Sequence, residues 1–231
     1  MFDFHSHILP GIDDGSKSVE ESLSMLRSSR DQGVDGIAAT SHFYANIHTP
    51  EIWLEKRKAA FEKLKPHLSA DLPKIHLGAE VHYYEGMILS DKLPDFRIEG
   101  TEILLVEMPF SKWTERMQSA IIELNSEPDI TVLLAHIERY LQFQSRRVFE
   151  KLRENGVLIQ SNAEFFLDKR TKRKALRMLE KDEINLLGSD CHNMSDRKPC
   201  LEQAYKAITE ALGKENIKEI SDREKSLFNI L

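Results

Sequence analysis

Residues 2–15 read Phe2-Asp3-Phe4-His5-Ser6-His7-Ile8-Leu9-Pro10-Gly11-Ile12-Asp13-Asp14-Gly15. A short apolar strand, Phe2 to Phe4, runs into two histidines one residue apart. Side chains two apart on an extended chain point to the same face, so His5 and His7 can offer both imidazoles to one ion. Leu9-Pro10-Gly11 should bend the chain. With Gly11 and Gly15 supplying tight backbone geometry, Asp14 can then fold back toward the histidines. A lone pair of histidines also suits an ordinary surface, so the rest of the chain has to decide.

Outward from this stretch, apolar strands alternate with helices. Ser18 and Glu21 form a capping-box signature ahead of Val19, Leu23 and Leu26 at helical spacing, with Gly33 as the stop. Strands are expected at Gly36 to Thr40, Lys74 to Ala79, Ile103 to Val106, Ile130 to Ala135, Val157 to Gln160 and Ile184 to Gly188. Helices are expected from Thr49-Pro50-Glu51 to about His67, near Thr114 to Ser126, from about Arg146 to Asn155-Gly156, from about Thr171 to Lys181, and after Pro199. The tail past Gly213 is expected to be partly helical. Counting Phe2 to Phe4, that makes seven short strands, read as continuous apolar runs of the kind parallel strands show when both faces are covered. An α/β barrel related to the eight-stranded kind is the natural architecture, with a doubly wound sheet as the alternative.

Six of those strands end on a metal-ligating type: His5, His42, Glu80, Glu107, His136 and Asp190. In a parallel barrel all such ends open on one face, and that face carries the chemistry. Adding His7, Asp14 and His192 gives nine candidates, too many for one ion of ordinary coordination number. Four are carboxylates, whose mutual repulsion calls for cations between them. The donor set is nitrogen and oxygen without thiolate, which suits manganese, iron, cobalt or zinc. His48, His67, His76 and His82 are read as surface or packing residues.

Composition bounds the alternatives. The 231-residue chain is 41% hydrophobic and 30% charged, which suits a single soluble domain over residues 1–231. A net charge of −6 argues against a general nucleic-acid binder. No apolar run reaches membrane-spanning length, and the first residues do not form a signal peptide. Cys191 and Cys200 form no disulfide framework, so a reducing cytoplasmic setting is expected. The basic run from Lys169 to Arg177 reads as the wet face of a helix that could attract an anionic partner.

The string His5 to Gly15, with Thr40-Ser41-His42, Gly78-Ala79-Glu80, Glu107-Met108-Pro109, Ala135-His136-Ile137-Glu138-Arg139-Tyr140 and Gly188-Ser189-Asp190-Cys191-His192, resembles the polymerase and histidinol phosphatase (PHP) superfamily. Within it, the chain most resembles the bacterial protein-tyrosine phosphatases encoded with capsule and exopolysaccharide genes. The resemblance implies a distorted seven-stranded (β/α)7 PHP barrel with two to three divalent metal ions, manganese foremost. It implies that His5, His7, Glu80 and Asp190 hold one ion and that a bridging Glu80 with Glu107 and His136 holds the second. Asp14, His42 and His192 would hold the third, with Asp14 and His42 counted also as catalytic. Attack on the phosphorus would come from a hydroxide bridging the metals. Arg139 and Arg197 are implied as phosphate binders, since a guanidinium matches phosphate oxygens with paired hydrogen bonds. The implied substrate is the phosphotyrosine-rich tail of a bacterial tyrosine kinase controlling polysaccharide export, with no nucleic acid and no membrane insertion involved. Phe43, Tyr44, Met108, Phe110, Phe165 and Phe166 follow strand ends and are candidates to line a slot for its ring.

Three rivals remain at the level of sequence. Cys191 to Arg197 matches the C-x5-R signature of thiol-dependent tyrosine phosphatases, in which backbone amides cradle phosphate. Its five intervening residues contain no glycine, Pro199 follows closely, and Asp190 would not help to form a thiolate. A sister activity such as histidinol phosphatase, or a non-catalytic metal-stabilised binding module, would use the same scaffold.

Overall fold

A computed structural model describes residues 1–228 of the chain. The last three residues of the expected helical tail lie outside the described residues. All seven expected stretches contain strand, and two of them are followed, after a two-residue break, by a further short strand that was not expected, so the described chain has nine strands. These are β1 (Phe2–Ser6), β2 (Gly36–Ala39), β3 (His42–Phe43), β4 (Lys74–Leu77), β5 (Glu80–His82), β6 (Ile103–Glu107), β7 (Thr131–Leu134), β8 (Leu158–Asn162) and β9 (Leu186–Gly188). Every pairing is parallel.

The strands form a three-stranded sheet, β1-β2-β4, and a six-stranded sheet, β3-β5-β6-β7-β8-β9. β3 continues β2 and β5 continues β4, so the neighbours follow chain order. The order reversal that defines a doubly wound sheet is absent among the described strands. The sheet curls until its ends meet: the Asp190 amide donates to His5 O at 2.7 Å, and the His7 amide donates to Cys191 O at 2.9 Å.

The break between β2 and β3 has a local cause. The Thr40 amide still donates to Ser6 O, but the Ser6 amide donates to the Thr40 hydroxyl, a side chain in place of a backbone carbonyl. The break between β4 and β5 falls at Gly78-Ala79, where the Gly78 amide donates to Ala39 O.

Among the described residues seven α-helices cover the outside: α1 (Val19–Asp31), α2 (Pro50–Leu64), α3 (Glu115–Asn125), α4 (Arg146–Glu154), α5 (Lys172–Glu180), α6 (Leu201–Leu212) and α7 (Lys214–Leu227). Ser18 caps α1 by accepting from the Glu21 amide, while the Glu21 carboxylate returns to the Lys17 amide rather than to that of Ser18. Helix α2 stops at Leu64 instead of about His67, and Lys65–His67 forms a single 3-10 turn. Pro66 cannot donate the hydrogen bond that would extend the α-helix.

The apolar strands divide their residues by parity. Ile103, Leu105, Leu133 and Ala135 pack with Phe4 and Leu186 on the concave side. Leu104, Val106, Val132 and Leu134 pack against helix residues such as Ile121, Leu124, Phe149 and Leu152. Both faces are thus buried, and each Val, Leu, Ile or Phe side chain contributes roughly 1.5–3 kcal/mol of apolar transfer. The concave packing ends where the strands end, and the polar cluster begins there.

Candidate metal centre

His5 and His7 leave β1 on the same side, with their Nε2 atoms 3.2 Å apart. The following loop returns to its origin: the Ser16 amide donates to His7 O, and the Gly11 amide donates to Ser16 O. Gly15 is obligatory in this turn, because a Cβ there would overlap the backbone oxygen and Cβ of His7. Gly188 has the same role on the opposite side, where a Cβ would collide with that of His5. Two glycines therefore let the chain pack tightly against the two histidines.

The structure brings all nine sequence-selected residues together. His5 Nε2 and His7 Nε2 lie 3.2 and 3.3 Å from Glu80 Oε2, and 3.5 and 3.4 Å from Asp190 Oδ1. His136 Nε2 lies 3.2 Å from Glu80 Oε1 and 3.1 Å from Glu107 Oε1. Asp14 Oδ1 lies 3.5 Å from His42 Nε2 and 3.4 Å from His192 Nε2. His42 also turns Nδ1 to Glu80 Oε2 at 2.8 Å.

Four overlapping groups have ligand atoms within 4.8 Å of one another: His7-Asp14-His42-His192, His5-His7-Asp190, His5-Glu80-His136 and His42-Glu80-Glu107. Compared with the expected sharing, His7 joins the Asp14 group, and Glu80 lies against four of the five cluster histidines, His5, His7, His42 and His136. Glu80 is the hub of the cluster.

Its electrostatics follow from burial. Glu80 is fully buried, and neither oxygen has an aligned hydrogen-bond partner. Burial pushes its carboxyl up, but His5, His42 and His136 outweigh that and hold it well below the ordinary range. His192 holds the Asp14 carboxyl down at about 2 against the opposing effect of partial burial. His136 and Asp190 adopt φ of 30° and 52°, the left-handed region that costs a non-glycine residue about 1–3 kcal/mol. The His136 amide is held by Gln160 Oε1 at 2.6 Å, which helps fix the strained turn.

Arg139 and Arg197 both donate to Asp190 Oδ2, at 2.5 and 2.8 Å. Asp190 Oδ1 is thereby left facing His5 and His7. The guanidinium-bearing side chains are each about one-third exposed, at the mouth of the cluster.

A second layer escaped the sequence reading. Asp13 Oδ2 accepts from His7 Nδ1 at 2.8 Å and from the His42 amide at 2.9 Å. Asn162 Nδ2 donates to Asp190 Oδ2 at 2.8 Å. His82, expected to be a surface or packing residue, instead places Nδ1 2.8 Å from Glu107 Oε2. The usable signal was spacing: His82 lies two residues beyond Glu80 on one strand face. Gln160 and Asn162 are likewise two apart at the end of β8, the strand that delivered no charged ligand. His76 packs against Phe2 and pairs with Glu99 O, as expected of a packing residue.

The aromatic slot is smaller than expected. Phe43, Met108, Phe165 and Phe166 are buried in the main core and do not line the mouth. Tyr44 stands beside His42 and His82, with ring centroids 5.2 and 5.3 Å away. Phe110 is exposed, near His136 and under the Arg139 guanidinium.

The Cys191 to Arg197 loop is no phosphate cradle. The Cys191 thiol is fully buried, and burial pushes it well above the ordinary thiol range. The amides of Ser195, Asp196 and Arg197 all donate to Asn193 Oδ1, and the His192 amide donates to Arg197 O. Those donors are already used.

The family model for capsular polysaccharide synthesis, CpsB/CapC, matches residues 1–227. The tyrosine-protein phosphatase CpsB of Streptococcus agalactiae is 34% identical over 236 residues, covering 95% of this chain and 94% of that protein. The tyrosine-protein phosphatase YwqE of Bacillus subtilis is 29% identical over 224 residues, covering 93% of this chain and 86% of that protein. A crystal structure from work on YwqE of Bacillus subtilis and CpsB of Streptococcus pneumoniae, described as unique metal-dependent tyrosine phosphatases, superposes with a TM-score of 0.86 at 23% identity and covers 100% of this chain and 95% of that one. With a family match running nearly end to end and the same curled parallel sheet, the chain belongs to the CpsB/CapC capsular polysaccharide synthesis family.

Proposed function

We propose that this chain is a metal-dependent protein-tyrosine phosphatase, a phosphoric monoester hydrolase working as one catalytic domain. The observation that carries this is Glu80: a fully buried carboxylate whose two oxygens lack an aligned hydrogen bond, ringed by imidazoles and other carboxylates. Bringing four carboxylates into one cluster, three of them buried, is costly, and divalent cations between Glu80 and Asp190, Glu107 and Asp14 would offset the charge.

The residues fit two to three ions. His5, His7 and Asp190 would hold one, His136 with Glu107 another, and Asp14, His42 and His192 a third, with Glu80 shared. The all nitrogen-and-oxygen donor set favours Mn2+, with Fe, Co2+ and Zn2+ as alternatives. Bound divalent ions supply hydroxide near neutral pH and neutralise the oxygens of an in-line displacement. On this reading the curled sheet is a distorted seven-stranded PHP barrel, with β2/β3 and β4/β5 each serving as one broken strand.

The chain's own residues do the rest. Arg139 and Arg197 keep one face on Asp190 and have further N–H groups free to take phosphoryl oxygens. Asp190 fixes both guanidiniums beside the ligands, so the phosphoryl group is positioned as it is bound. Tyr44 and Phe110 border the mouth, where an aryl ring would lie. A tyrosine leaving group has a conjugate-acid pKa of about 10, so it needs less protonation than an alkoxide.

The relatives' names support a phosphotyrosine protein as substrate. The tail of a bacterial tyrosine kinase governing capsule or exopolysaccharide synthesis is the proposed source. Two buried free cysteines suit a cytoplasmic setting, and no helix among the described residues is long and apolar enough to cross a membrane.

The discriminating assay compares a phosphotyrosine peptide with histidinol phosphate at equal Mn2+. Faster hydrolysis of the peptide is expected. Preference for histidinol phosphate, or bound metal without hydrolysis of any aryl phosphate, would contradict the reading.

A further inference from the structure

A cavity of about 290 Å³ opens between α4 and α5, outside the metal cluster. Its floor is apolar, formed by Ile137, Leu141, Phe149 and Met178. Its walls carry Arg146, Arg153, Lys174, Arg177 and Lys181, against one carboxylate, Glu183. Arg146 is already paired with Glu150 and Glu183. Lys174, Arg177 and Lys181 form no ion pair among the described residues, and Arg153 Nε is buried without a hydrogen-bond partner. On a chain of net charge −6, this is a local concentration of unspent positive charge.

The cleft is joined to the metal face by one short segment. Between His136 and Leu141, Ile137 and Leu141 line the cleft while Arg139 reaches Asp190. Five residue steps span at most about 18 Å, so a single extended peptide can occupy both places.

We propose that this cleft is a docking site for an acidic peptide segment of the protein substrate, one that carries an apolar side chain among its carboxylates. The concave shape and apolar floor favour a peptide over a flat anionic membrane. The apolar side chain fills the floor, and the carboxylates meet the four cations free of a full partner. The inference rests on the phosphatase reading for the occupant's being a substrate and for its enzymatic readout; the binding of an acidic peptide is tested separately. The cleft raises substrate affinity and leaves the chemical step alone.

The test uses the full metal-loaded chain and its Lys174→Glu/Arg177→Glu variant, both positions being exposed and remote from the cluster. Three substrates are compared: a phosphotyrosine peptide with a flanking Asp/Glu/Leu arm, the same peptide with serine replacing the acids, and p-nitrophenyl phosphate. In the wild type, the acidic arm should lower KM at least about fivefold, and the advantage should shrink at about 0.5 M salt. The variant should lose the advantage while kcat and p-nitrophenyl phosphate kinetics stay unchanged.

Equal KM for the two peptides in the wild type, or an advantage that survives in the variant, would overturn the proposal. So would binding to phosphatidylglycerol vesicles that the same variant abolishes, because that would assign the patch to a membrane. If the chain hydrolyses no aryl phosphate, the phosphatase reading fails separately. Fluorescence polarisation with the unphosphorylated acidic arm then decides the docking claim: binding lost in the variant supports it, and no binding overturns it.

Discussion

Asp13 and His7 form a buried pair, with Asp13 Oδ2 2.8 Å from His7 Nδ1. Burial alone would keep His7 neutral, but Asp13, with Asp190 and Glu80, outweighs it and makes the imidazole more basic. A carboxylate on one ring nitrogen fixes which nitrogen faces the cluster and how the ring is turned. Asp13 also accepts the His42 amide, so one side chain orients residues from two strands.

Asp13→Asn should therefore weaken divalent-metal affinity by about 10- to 100-fold without unfolding the chain. Calorimetric titration of Mn2+ into the stripped protein measures this directly, and excess Mn2+ should recover most of the activity. Unchanged affinity would mean that Asp13 only braces the loop.

Arg139 and Arg197 each put one guanidinium nitrogen on Asp190 Oδ2, which leaves a second nitrogen for a phosphoryl oxygen, whereas a lysine has one nitrogen for both. Arg139→Lys should lower kcat/KM on an aryl phosphate by roughly 10²-fold, with metal content unchanged. A variant with wild-type kinetics would remove Arg139 from the phosphate site.

Cys191 is enclosed and its thiol resists ionisation, so it is not a nucleophile. Cys191→Ser should retain activity within about twofold, while thermal unfolding records a loss of about 1–2 kcal/mol for the buried hydroxyl. Abolished activity with metal still bound would return the C-x5-R loop to consideration.

Glu224 provides a pH test away from the metal cluster. Burial raises its carboxyl above the ordinary range, with Asp3 adding to the rise; the Tyr205 hydroxyl at 2.6 Å and the N-terminal amine oppose it. The native state then binds the proton more tightly than the unfolded chain. The resulting stabilisation is complete below the unfolded pKa of about 4.3 and is lost as pH rises through the native value. Glu224→Gln keeps an acceptor for Tyr205 and removes the titration. Melting curves between about pH 4 and pH 8 should therefore show the variant gaining on the wild type as pH rises, and parallel curves would contradict the assignment.

Much of this was legible in the sequence because ligands at strand ends obey simple periodicities. His5 and His7 at a spacing of two, and His42, Glu80, Glu107, His136 and Asp190 after apolar runs, are legible from the sequence, and the curled sheet gathers them. The supporting layer was harder to see. Asp13 was overshadowed by Asp14, and only a folded loop reveals which of two adjacent carboxylates faces inward. Gln160 and Asn162 are neutral amides, whose importance depends on the atoms opposite them. The strand breaks at Thr40-Ser41 and Gly78-Ala79 arise from cross-strand contacts that no local pattern encodes. The aromatic slot was overestimated for the same reason: Phe43, Phe165 and Phe166 follow strands but turn into the core.

The central claim is that the Glu80 hub gathers several cations and that hydrolysis depends on them. The most direct measurement is elemental analysis of the purified protein, paired with aryl-phosphate hydrolysis before chelation, after chelation and after metal is returned. The account predicts two to three transition-metal ions per chain, activity abolished by chelation and recovered with Mn2+, and a lower melting temperature for the stripped protein. A chain that takes up no divalent metal, or one that hydrolyses aryl phosphate equally well when fully stripped, would contradict it.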